Sequence, residues 1–355
     1  MKTLPNPEGP FLVGSVSREL VDPDRPAHVL SQQPGRRIFV KSWYPADPAA
    51  AGACRRERLW EHVRGDPHIP GVVKLMLRRA MKVTTSTYAD APYAAQAGPP
   101  RIVIYSHGLI SFASENSTLM EHLASRGYVV ISLQHREQLA ELRALQQAQP
   151  KSERTEQAEL QRQIAAASKE ERAALWKEYF RLASNTNRIV AARSADAEHV
   201  LAGLDGLLAT IPGLGATSRA SRIAAIGLSI GGAVATELAK RSRDRTNGVV
   251  NIDGGMYGTL PDEPVEAPYL MLYSEENAGS NELSLAAAGG ARITAATIPG
   301  TKHLNFHDIA AVHPWLKWLG ALGSADPVAV VKERNRSIAD FLSKIAQADG
   351  NAAGV

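Results

Sequence analysis

One stretch, "RIAAIGLSIGGAVATELAK" (Arg222–Lys240), constrains the fold more than any other part of the chain. Its first half is the continuous apolar run of a buried strand, and its second half has the pattern of a helix. Between them, Gly-Leu-Ser-Ile-Gly at 227–231 places small residues on both sides of one hydroxyl. A sharp strand-to-helix turn strains its central residue, and only small neighbours leave room for that backbone. The pattern therefore predicts a raised, accessible Ser229 at the start of a helix.

A serine in this position has the geometry of an acyl-transfer nucleophile. The helix behind it directs free backbone N–H groups and a positive dipole end at the same point. The G-x-S-x-G pattern is also typical of such a turn. The alternative is that Ser229 is an N-cap residue in a glycine-rich turn. The short pattern leaves both interpretations open, so the rest of the chain must distinguish them.

The chain around this turn alternates between strands and helices. "RIVIYSHG", from residue 101, is an apolar strand, "ENSTLMEHLASRG" is a helix, and "YVVISLQH" is a second buried strand. Further apolar strands are predicted at 223–228, 248–252, 268–273 and 292–298, and a closing helix at 325–346. Short connections between strand, helix and strand indicate a parallel sheet with crossover helices, which is the α/β class.

We divide the chain into three parts. Residues 1–136 form the first part of the α/β domain, with one clear strand at 36–47, a surface elaboration at 48–99 and a short basic helix near 72–82. Residues 137–185 are rich in Ala, Gln and charge and are split by Pro150, which predicts an inserted pair of amphipathic helices. The insertion forms either a lid over the substrate entrance or a solvated buttress. Residues 186–355 form the second part and begin with a long helix.

A nucleophilic serine needs a histidine to take its proton and a carboxylate to orient that histidine. In an open parallel sheet these groups lie beyond the carboxyl ends of later strands. Asp253 ends "GVVNID" and is the first candidate for the acid, with Glu275, at the end of "PYLMLYSE", as the alternative. Their order after Ser229, followed by His303 in the loop "IPGTKHLNFHD", is the order of an α/β-hydrolase. We therefore expect His303 to be the base.

A second histidine, His307, lies four residues after His303. The spacing could place both on one helical face, so we weighed a metal site. No Glu follows His303 as in zinc peptidases, and no third ligand cluster is apparent. We therefore expect His307 to be a packed or capping residue and predict no metal and no organic cofactor.

The oxyanion that forms on the substrate needs two fixed donors. One is expected to be the backbone N–H of Ile230, after the nucleophile, and the other that of Leu109, in the loop "YSHGLIS". His107 precedes Ser229 in the chain, which favours a structural role over that of the base. We further expect His107, Gly108 and Met256 to line the substrate site.

Composition excludes several classes of protein. With 355 residues, 44% of them hydrophobic, the chain is long enough for one large core with an insertion. No run of eighteen apolar residues is present, which predicts no transmembrane segment. Cys54 is the one cysteine, so neither an intrachain disulfide nor a cysteine zinc site can form. The net charge of +4 is spread among interleaved acidic and basic residues, so we expect no nucleic-acid partner. The start lacks an apolar secretory segment, which fits a cytoplasmic protein or one that has lost a leader.

Several of these stretches together resemble one known family. "SHGLISFASENSTLMEHLASRGYVVISLQHRE", "IGLSIGGAVA", "NIDGGMYG" and "GTKHLNFHD", with "GPFLVGS" and "SWYPA" before them, are similar to the plasma-type (isoform II) platelet-activating-factor acetylhydrolases. The resemblance covers roughly residues 9–46 and 100–315. It implies an α/β-hydrolase fold and, as site residues, the nucleophile Ser229, the acid Asp253, the base His303 and the oxyanion donors Leu109 and Ile230.

The chain departs from the family's vertebrate members in two places. Gly-Gly-Met at 254–256 replaces aromatic and apolar residues after the acid, and Leu228 stands where His is common. We therefore expect a microbial carboxylic ester hydrolase that acts on a small ester or lipid as a monomer or homodimer. The same groups could cleave a lactone, an amide or a polyester. A catalytically silent binding module is the alternative of a different class.

Overall fold

The computed structural model describes residues 4–67, 69–137, 139–215, 222–260, 263–287 and 293–352. The strands in these ranges are β1 Leu12–Pro26, β2 Pro34–Ala46, β3 Arg56–Arg58, β4 Thr84–Ala89, β5 Arg101–Ser106, β6 Tyr128–Gln134, β7 Ile223–Leu228, β8 Thr246–Ile252, β9 Tyr269–Ser274 and β10 Ile293–Ile298. They form one sheet in the order β10-β9-β8-β7-β5-β6-β2-β1-β4-β3. The fold is that of an α/β hydrolase, as predicted.

The site-bearing half of the sheet is parallel. Strands β10, β9, β8, β7, β5 and β6 pair in parallel, whereas β2 pairs antiparallel with both β6 and β1. The central strands β5 to β8 are apolar along most of their length because helices cover both faces. Since parallel strands all end at the same edge, the loops after β5, β7, β8 and β9 meet there.

The helices form a layer on each side of this sheet. They are α1 Pro48–Ala51, α2 Gly71–Leu77, α3 Ser117–Ser125, α4 Leu139–Ala148, α5 Lys151–Ala166, α6 Lys169–Leu182, α7 Ser184–Ala202, α8 Leu204–Leu208, α9 Ile230–Arg241, α10 Glu282–Ala287, α11 Asp308–Val312 and α12 Pro327–Ala352. Leu123 of α3 and Leu342 of α12 pack in one core cluster, and Val200 of α7 and Leu238 of α9 pack in the cluster on the other face. In the described part of the chain, no helix has both the length and the apolar character to cross a membrane.

The N-terminal part contains more regular structure than the sequence predicted. The expected strand is β2, but β1, β3 and β4 extend the sheet beyond it. Strand β1 escaped prediction because its second half alternates charged, exposed residues with few apolar ones. The described residues of 48–99 also form a small core that includes Trp60 and packs against Phe112. The expectation of a mere surface elaboration is therefore too simple, since this segment is packed against the loop after β5.

The described residues of the predicted insertion form three helices, α4 to α6, rather than two. Pro150 separates α4 from α5 as expected, and Leu160 and Ile164 of α5 are buried. The third helix begins at a capping box made by Ser168 and Glu171, which the sequence analysis did not use. Phe180 of α6 contacts the ring of Tyr257 at a centroid distance of 4.8 Å. The insertion is therefore joined to the main domain by aromatic packing.

Candidate active site

Ser229 lies on the strained strand-to-helix turn that the sequence predicted. Its φ and ψ are 57° and −125°, between the end of β7 and the first residue of α9. A Cβ on Gly227 would lie 1.9 Å from the carbonyl oxygen of Gly231, and one on Gly231 would lie 2.0 Å from that of Ser106. Both positions therefore need glycine for the turn to form.

The turn leaves Ser229 partly exposed while its neighbours Leu228 and Ile230 are buried. Its backbone N–H donates to the carbonyl of Ile252 at 2.8 Å, which ties the turn to the end of β8. The side chain makes no N-cap hydrogen bond to α9. Ser229 therefore occupies the N-cap position of α9 without capping it through its side chain, and the hydroxyl is not committed to the helix.

Asp253 follows β8 directly and also has a positive φ, of 53°. One carboxylate oxygen accepts from the Ser274 backbone N–H at 2.6 Å. The other accepts from the Ser274 hydroxyl, the Asn277 amide and His303 Nδ1, at 2.9, 2.9 and 2.7 Å. The carboxylate is fully buried, whereas the imidazole is 36% exposed. The aspartate thus holds one ring nitrogen and leaves the accessible histidine to act through the other.

The carboxylate of the alternative acid, Glu275, is bonded to a backbone group and not to the His303 ring. Its carboxylate accepts from the backbone N–H of Gly300 at 3.2 Å, and its own N–H donates to Thr301. The carboxylate paired with His303 is that of Asp253. Glu275 therefore supports the loop that carries the histidine.

The pKa of His303 is raised above its ordinary value. Burial acts to lower this pKa, but the hydrogen bond and the charge of Asp253 outweigh it, with further contributions from Glu115 and Glu276. A raised pKa makes the imidazole a stronger base and stabilises its protonated form.

A second carboxylate–histidine pair lies beside this one and was not singled out from the sequence. Glu115 Oε2 lies 3.4 Å from Nδ1 of His307, and the rings of His303 and His307 are 6.3 Å apart. Burial lowers the pKa of His307 to about 3, so this histidine is neutral and packed, as predicted. Burial also raises the pKa of Glu115 to about 7, against hydrogen bonds that include those from Tyr105 and Gly108. The residues next to Glu115 in the sequence do not indicate its role, because its partners lie on separate segments.

The loop after β5 passes beside Ser229 at Gly108, next to the expected donor Leu109. A Cβ on Gly108 would lie 3.8 Å from Cβ of Ser229. The Gly108 backbone N–H donates to the Glu115 carboxylate, and this hydrogen bond holds that part of the loop in place. Leu109 is 43% exposed, and Ile230 begins α9, where first-turn N–H groups lack partners within the helix.

Two residues expected to line the substrate site are instead buried. His107 is 1% exposed, and both of its ring nitrogens are within hydrogen-bond distance of backbone atoms. Met256 lies in the core cluster under α7 to α9, where its sulfur accepts from the Tyr269 hydroxyl. Burial favours a structural role for His107 and a packing role for Met256 over contact with substrate. Gly108, the third, is buried but adjoins Ser229.

No group of three or more His, Cys, Asp or Glu side chains suited to hold a metal occurs in the described residues. His303 and His307 are each paired with a carboxylate, Asp253 and Glu115 respectively.

The parallel sheet, the strained serine turn and the Asp253–His303 pair together define an α/β-hydrolase. A solved structure described as a ferulic acid esterase from Streptomyces cinnamoneus has the same fold, with a TM-score of 0.71. The match covers 96% of this chain and 92% of the esterase, at 20% sequence identity.

The family model "Platelet-activating factor acetylhydrolase, isoform II" matches residues 1–352, and the chain belongs to this family. A relative from Schizosaccharomyces pombe (strain 972 / ATCC 24843), named "Putative phospholipase A2", is 30% identical over 148 residues. That match spans 39% of this chain and 34% of the relative, about a third of its length.

Proposed function

We propose that this protein is a serine hydrolase that cleaves carboxylic esters through an acyl-enzyme, with a short-acyl ester or a phospholipid acetyl group as substrate. The observation that carries the proposal is the 2.7 Å hydrogen bond between Asp253 and His303. It lies at the same sheet edge as the strained Ser229. Family membership supports the ester class of substrate.

In the first half-reaction, the Ser229 hydroxyl oxygen attacks the ester carbonyl carbon. Its proton passes to His303 Nε2, while Asp253 accepts the hydrogen bond from Nδ1 and stabilises the imidazolium. The negative carbonyl oxygen is held by the backbone N–H groups of Leu109 and Ile230. When the tetrahedral intermediate collapses, the C–O bond to the alcohol breaks and the alcohol leaves with the proton from His303.

In the second half-reaction, His303 removes a proton from water, and the hydroxide attacks the acyl carbon. The bond to Ser229 then breaks, the serine regains its proton and the acid is released. No organic cofactor enters either step. A lactone, an amide or a polyester could react through the same steps. Which of them is cleaved therefore depends on the shape of the part of the site that receives the acyl group.

The segment after Asp253 is packed closely against the insertion. A Cβ on Gly255 would lie 2.5 Å from Phe180 and 2.6 Å from Tyr257. Trp176 stacks on Phe180 at a centroid distance of 5.4 Å, and Phe180 lies in the same core cluster as Met256. Support for the short-acyl proposal therefore comes from family membership rather than from this packing.

The direct test is hydrolysis of p-nitrophenyl esters from acetate to palmitate, with Ser229→Ala as the control. We expect a steep preference for acyl groups of about two to four carbons, and loss of turnover by about three orders of magnitude or more in Ser229→Ala. Activity that extends evenly to palmitate would contradict the short-acyl class. Hydrolysis retained by Ser229→Ala would contradict the serine mechanism.

A matched pair of variants tests the acid. Asp253→Asn should lower kcat by about 10⁴-fold, because an amide cannot fix the imidazole in the required tautomer. Glu275→Gln removes a nearby carboxylate that contacts the Gly300 backbone instead, and its kcat should change by less than about threefold. The reverse ranking would assign the acid to Glu275.

A further inference from the structure

The peptide group between Gly108 and Leu109 contains both the Gly108 carbonyl and the Leu109 N–H. In a trans peptide these two bonds point in opposite directions within one plane. Whatever holds the carbonyl therefore also sets the direction of the N–H. The groups that donate hydrogen bonds to this carbonyl therefore help to orient the Leu109 N–H as an oxyanion donor.

Two side chains donate to this carbonyl from inside the protein. His107 Nδ1 lies 2.6 Å from the oxygen, and Arg193 Nη1 lies 3.4 Å from it and 2.8 Å from the carbonyl oxygen of His107. His107 Nε2 accepts from the backbone N–H of His135, so a neutral ring carries its proton on Nδ1. Burial, with the charge of Arg193, lowers the pKa of His107 and keeps this ring neutral. Both contacts therefore direct the same carbonyl inward.

Arg193 is itself held in one orientation. Its guanidinium is fully buried and forms two hydrogen bonds with Glu137, Nε to Oε1 at 2.9 Å and Nη2 to Oε2 at 2.8 Å. Glu137 precedes α4 and Arg193 lies in α7, so the ion pair joins the two segments that flank the inserted helices. Burial acts to raise the pKa of Glu137, but the Arg193 charge and hydrogen bonds outweigh it and lower this pKa to about 2. The pair is ionised at neutral pH.

Asp196, about one turn after Arg193 in α7, also supports this loop. Asp196 accepts from His135 Nδ1 at 2.9 Å, and the backbone N–H of His135 is the one that binds His107. Asp196 also accepts two hydrogen bonds from the buried Arg36, at 2.9 and 2.7 Å. The direct contact with the loop backbone nevertheless belongs to Arg193.

We propose that Arg193 is a positioning residue for catalysis: from α7, it fixes the Gly108–Leu109 peptide so that the Leu109 N–H faces the oxyanion. This inference rests on the proposed serine hydrolase function. The positive charge at the carbonyl oxygen also polarises the peptide and strengthens its N–H as a donor. Through Glu137, the base of the insertion and the oxyanion loop form one connected unit.

The test compares Arg193→Met with Lys41→Met. Both variants remove a buried cation from an ion pair, but Lys41 pairs with Glu57 of β3 and makes no hydrogen bond to residues 107–109 or to Glu137 in the described structure. For each, kcat and KM are measured with p-nitrophenyl acetate, together with the inhibition constant of an alkyl trifluoromethyl ketone. The ketone adds to Ser229 and places an oxyanion in the same position as the substrate does.

We expect Arg193→Met to lower kcat by about ten- to a hundredfold with KM changed less than about threefold, and to weaken the ketone similarly. Arg193→Lys, which keeps the charge and one donor, should recover part of the loss. Lys41→Met should reduce the melting temperature but leave both readouts within about threefold. If Arg193→Met does not fold because Glu137 keeps only its 3.9 Å contact with Arg36, Arg193→Met/Glu137→Gln removes the carboxylate charge and is measured in its place.

The inference is overturned if the folded Arg193 variant retains kcat and ketone affinity within twofold, or loses no more of either than Lys41→Met. Failure of the proposed function has a different signature. In that case the wild-type protein itself neither hydrolyses the ester nor binds the ketone, whatever the residue at position 193.

Discussion

At the scale of single residues, the site concentrates backbone strain where chemistry is proposed. Ser229 and Asp253 both adopt positive φ values, of 57° and 53°, although neither is glycine. Asp253 is stabilised by four donors, including His303. Ser229 has no side-chain bond to α9 that would offset its strain. Its conformation is therefore maintained by the packing around the turn.

This strain predicts an order of stability for two inactive variants. Ser229→Gly should be more stable than Ser229→Ala by about 1 kcal/mol, because glycine accepts φ of 57° and ψ of −125° whereas alanine keeps the strain. Urea denaturation of both variants measures the difference. Equal stabilities, or a more stable alanine variant, would mean that the turn is not strained.

Glu115 should affect the pH dependence of hydrolysis through His303. The reaction needs neutral His303, so kcat/KM falls as pH drops through the pKa of this residue, which lies above its ordinary value. Glu115 contributes to that raised pKa by its negative charge, which is partly present in this pH range because its own pKa is about 7. Glu115→Gln keeps an acceptor for the Gly108 N–H but removes the charge. The pKa of His303 should therefore fall, and the acid limb of the profile should move to lower pH by a few tenths of a unit.

The control for this shift is Glu121→Gln. Glu121 is equally buried and its pKa is also raised to about 7 by burial, but it bonds to Ser86 and Thr87. Profiles of kcat/KM from pH 4.5 to 9 should show the shift for Glu115→Gln alone. An unchanged limb in Glu115→Gln, or an equal shift in both variants, would refute this electrostatic link.

At the scale of elements, the contact between β7, α9 and β5 depends on small residues. In Gly231→Ala the new Cβ would meet the carbonyl oxygen of Ser106 at 2.0 Å, so the start of α9 would be forced away from β5. We expect a loss of about 3 kcal/mol or more and no ester hydrolysis. Thermal unfolding and turnover of this variant check the expectation.

Gly206→Ala is the matched control, since Gly206 lies in α8 and its Cβ would meet nothing within 4 Å. Alanine is the better helix former, so this variant should be unchanged or more stable by up to about 1 kcal/mol. A tolerated Gly231→Ala would show that the turn does not require the close contact.

Helix α3 is joined to strand β4 by a carboxyl group that prefers to stay protonated. Glu121 of α3 accepts from the Thr87 hydroxyl at 2.6 Å and the Ser86 N–H at 3.0 Å. Because burial raises the pKa of Glu121 from 4.5 to about 7, the folded state binds this proton more tightly than the unfolded state. The contribution of Glu121 to stability is therefore fully present below pH 4.5 and is lost as pH rises through about 7.

Glu121→Gln should remove this pH dependence, because glutamine stays neutral. The variant's stability relative to wild type should rise between pH 4.5 and 8.5, by at most about 3 kcal/mol for a shift of this size. Urea denaturation at both pH values measures the change. A constant difference between variant and wild type would show that Glu121 does not titrate with folding.

At the scale of the whole molecule, the fold and the centre of the site could be predicted from local patterns. Ser229 was found from a turn that only glycines permit, and Asp253 and His303 from their places after later strands. These features depend on neighbours in sequence and on the shared carboxyl edge of a parallel sheet.

What the sequence did not predict depends on contacts between distant segments. Strand β1 pairs with β2 and β4 although about half of its residues are exposed and several of these are charged or proline, so its apolar pattern is weak. The sequence analysis singled out neither Glu115 nor Arg193, because nothing near them in the sequence marks them. They are buried because the loop after β5 supplies backbone groups for both. Met256 was expected to line the substrate site, but its side chain packs in the core.

The most direct test of the account is to locate the covalent adduct of a fluorophosphonate by mass spectrometry of the wild-type protein. The account predicts one adduct per chain, on the peptide that contains Ser229, and its loss in Ser229→Ala and in protein already inhibited by the trifluoromethyl ketone. An unlabelled wild-type protein that still hydrolyses esters, or an adduct on another residue, would contradict the central claim that Ser229 is the nucleophile.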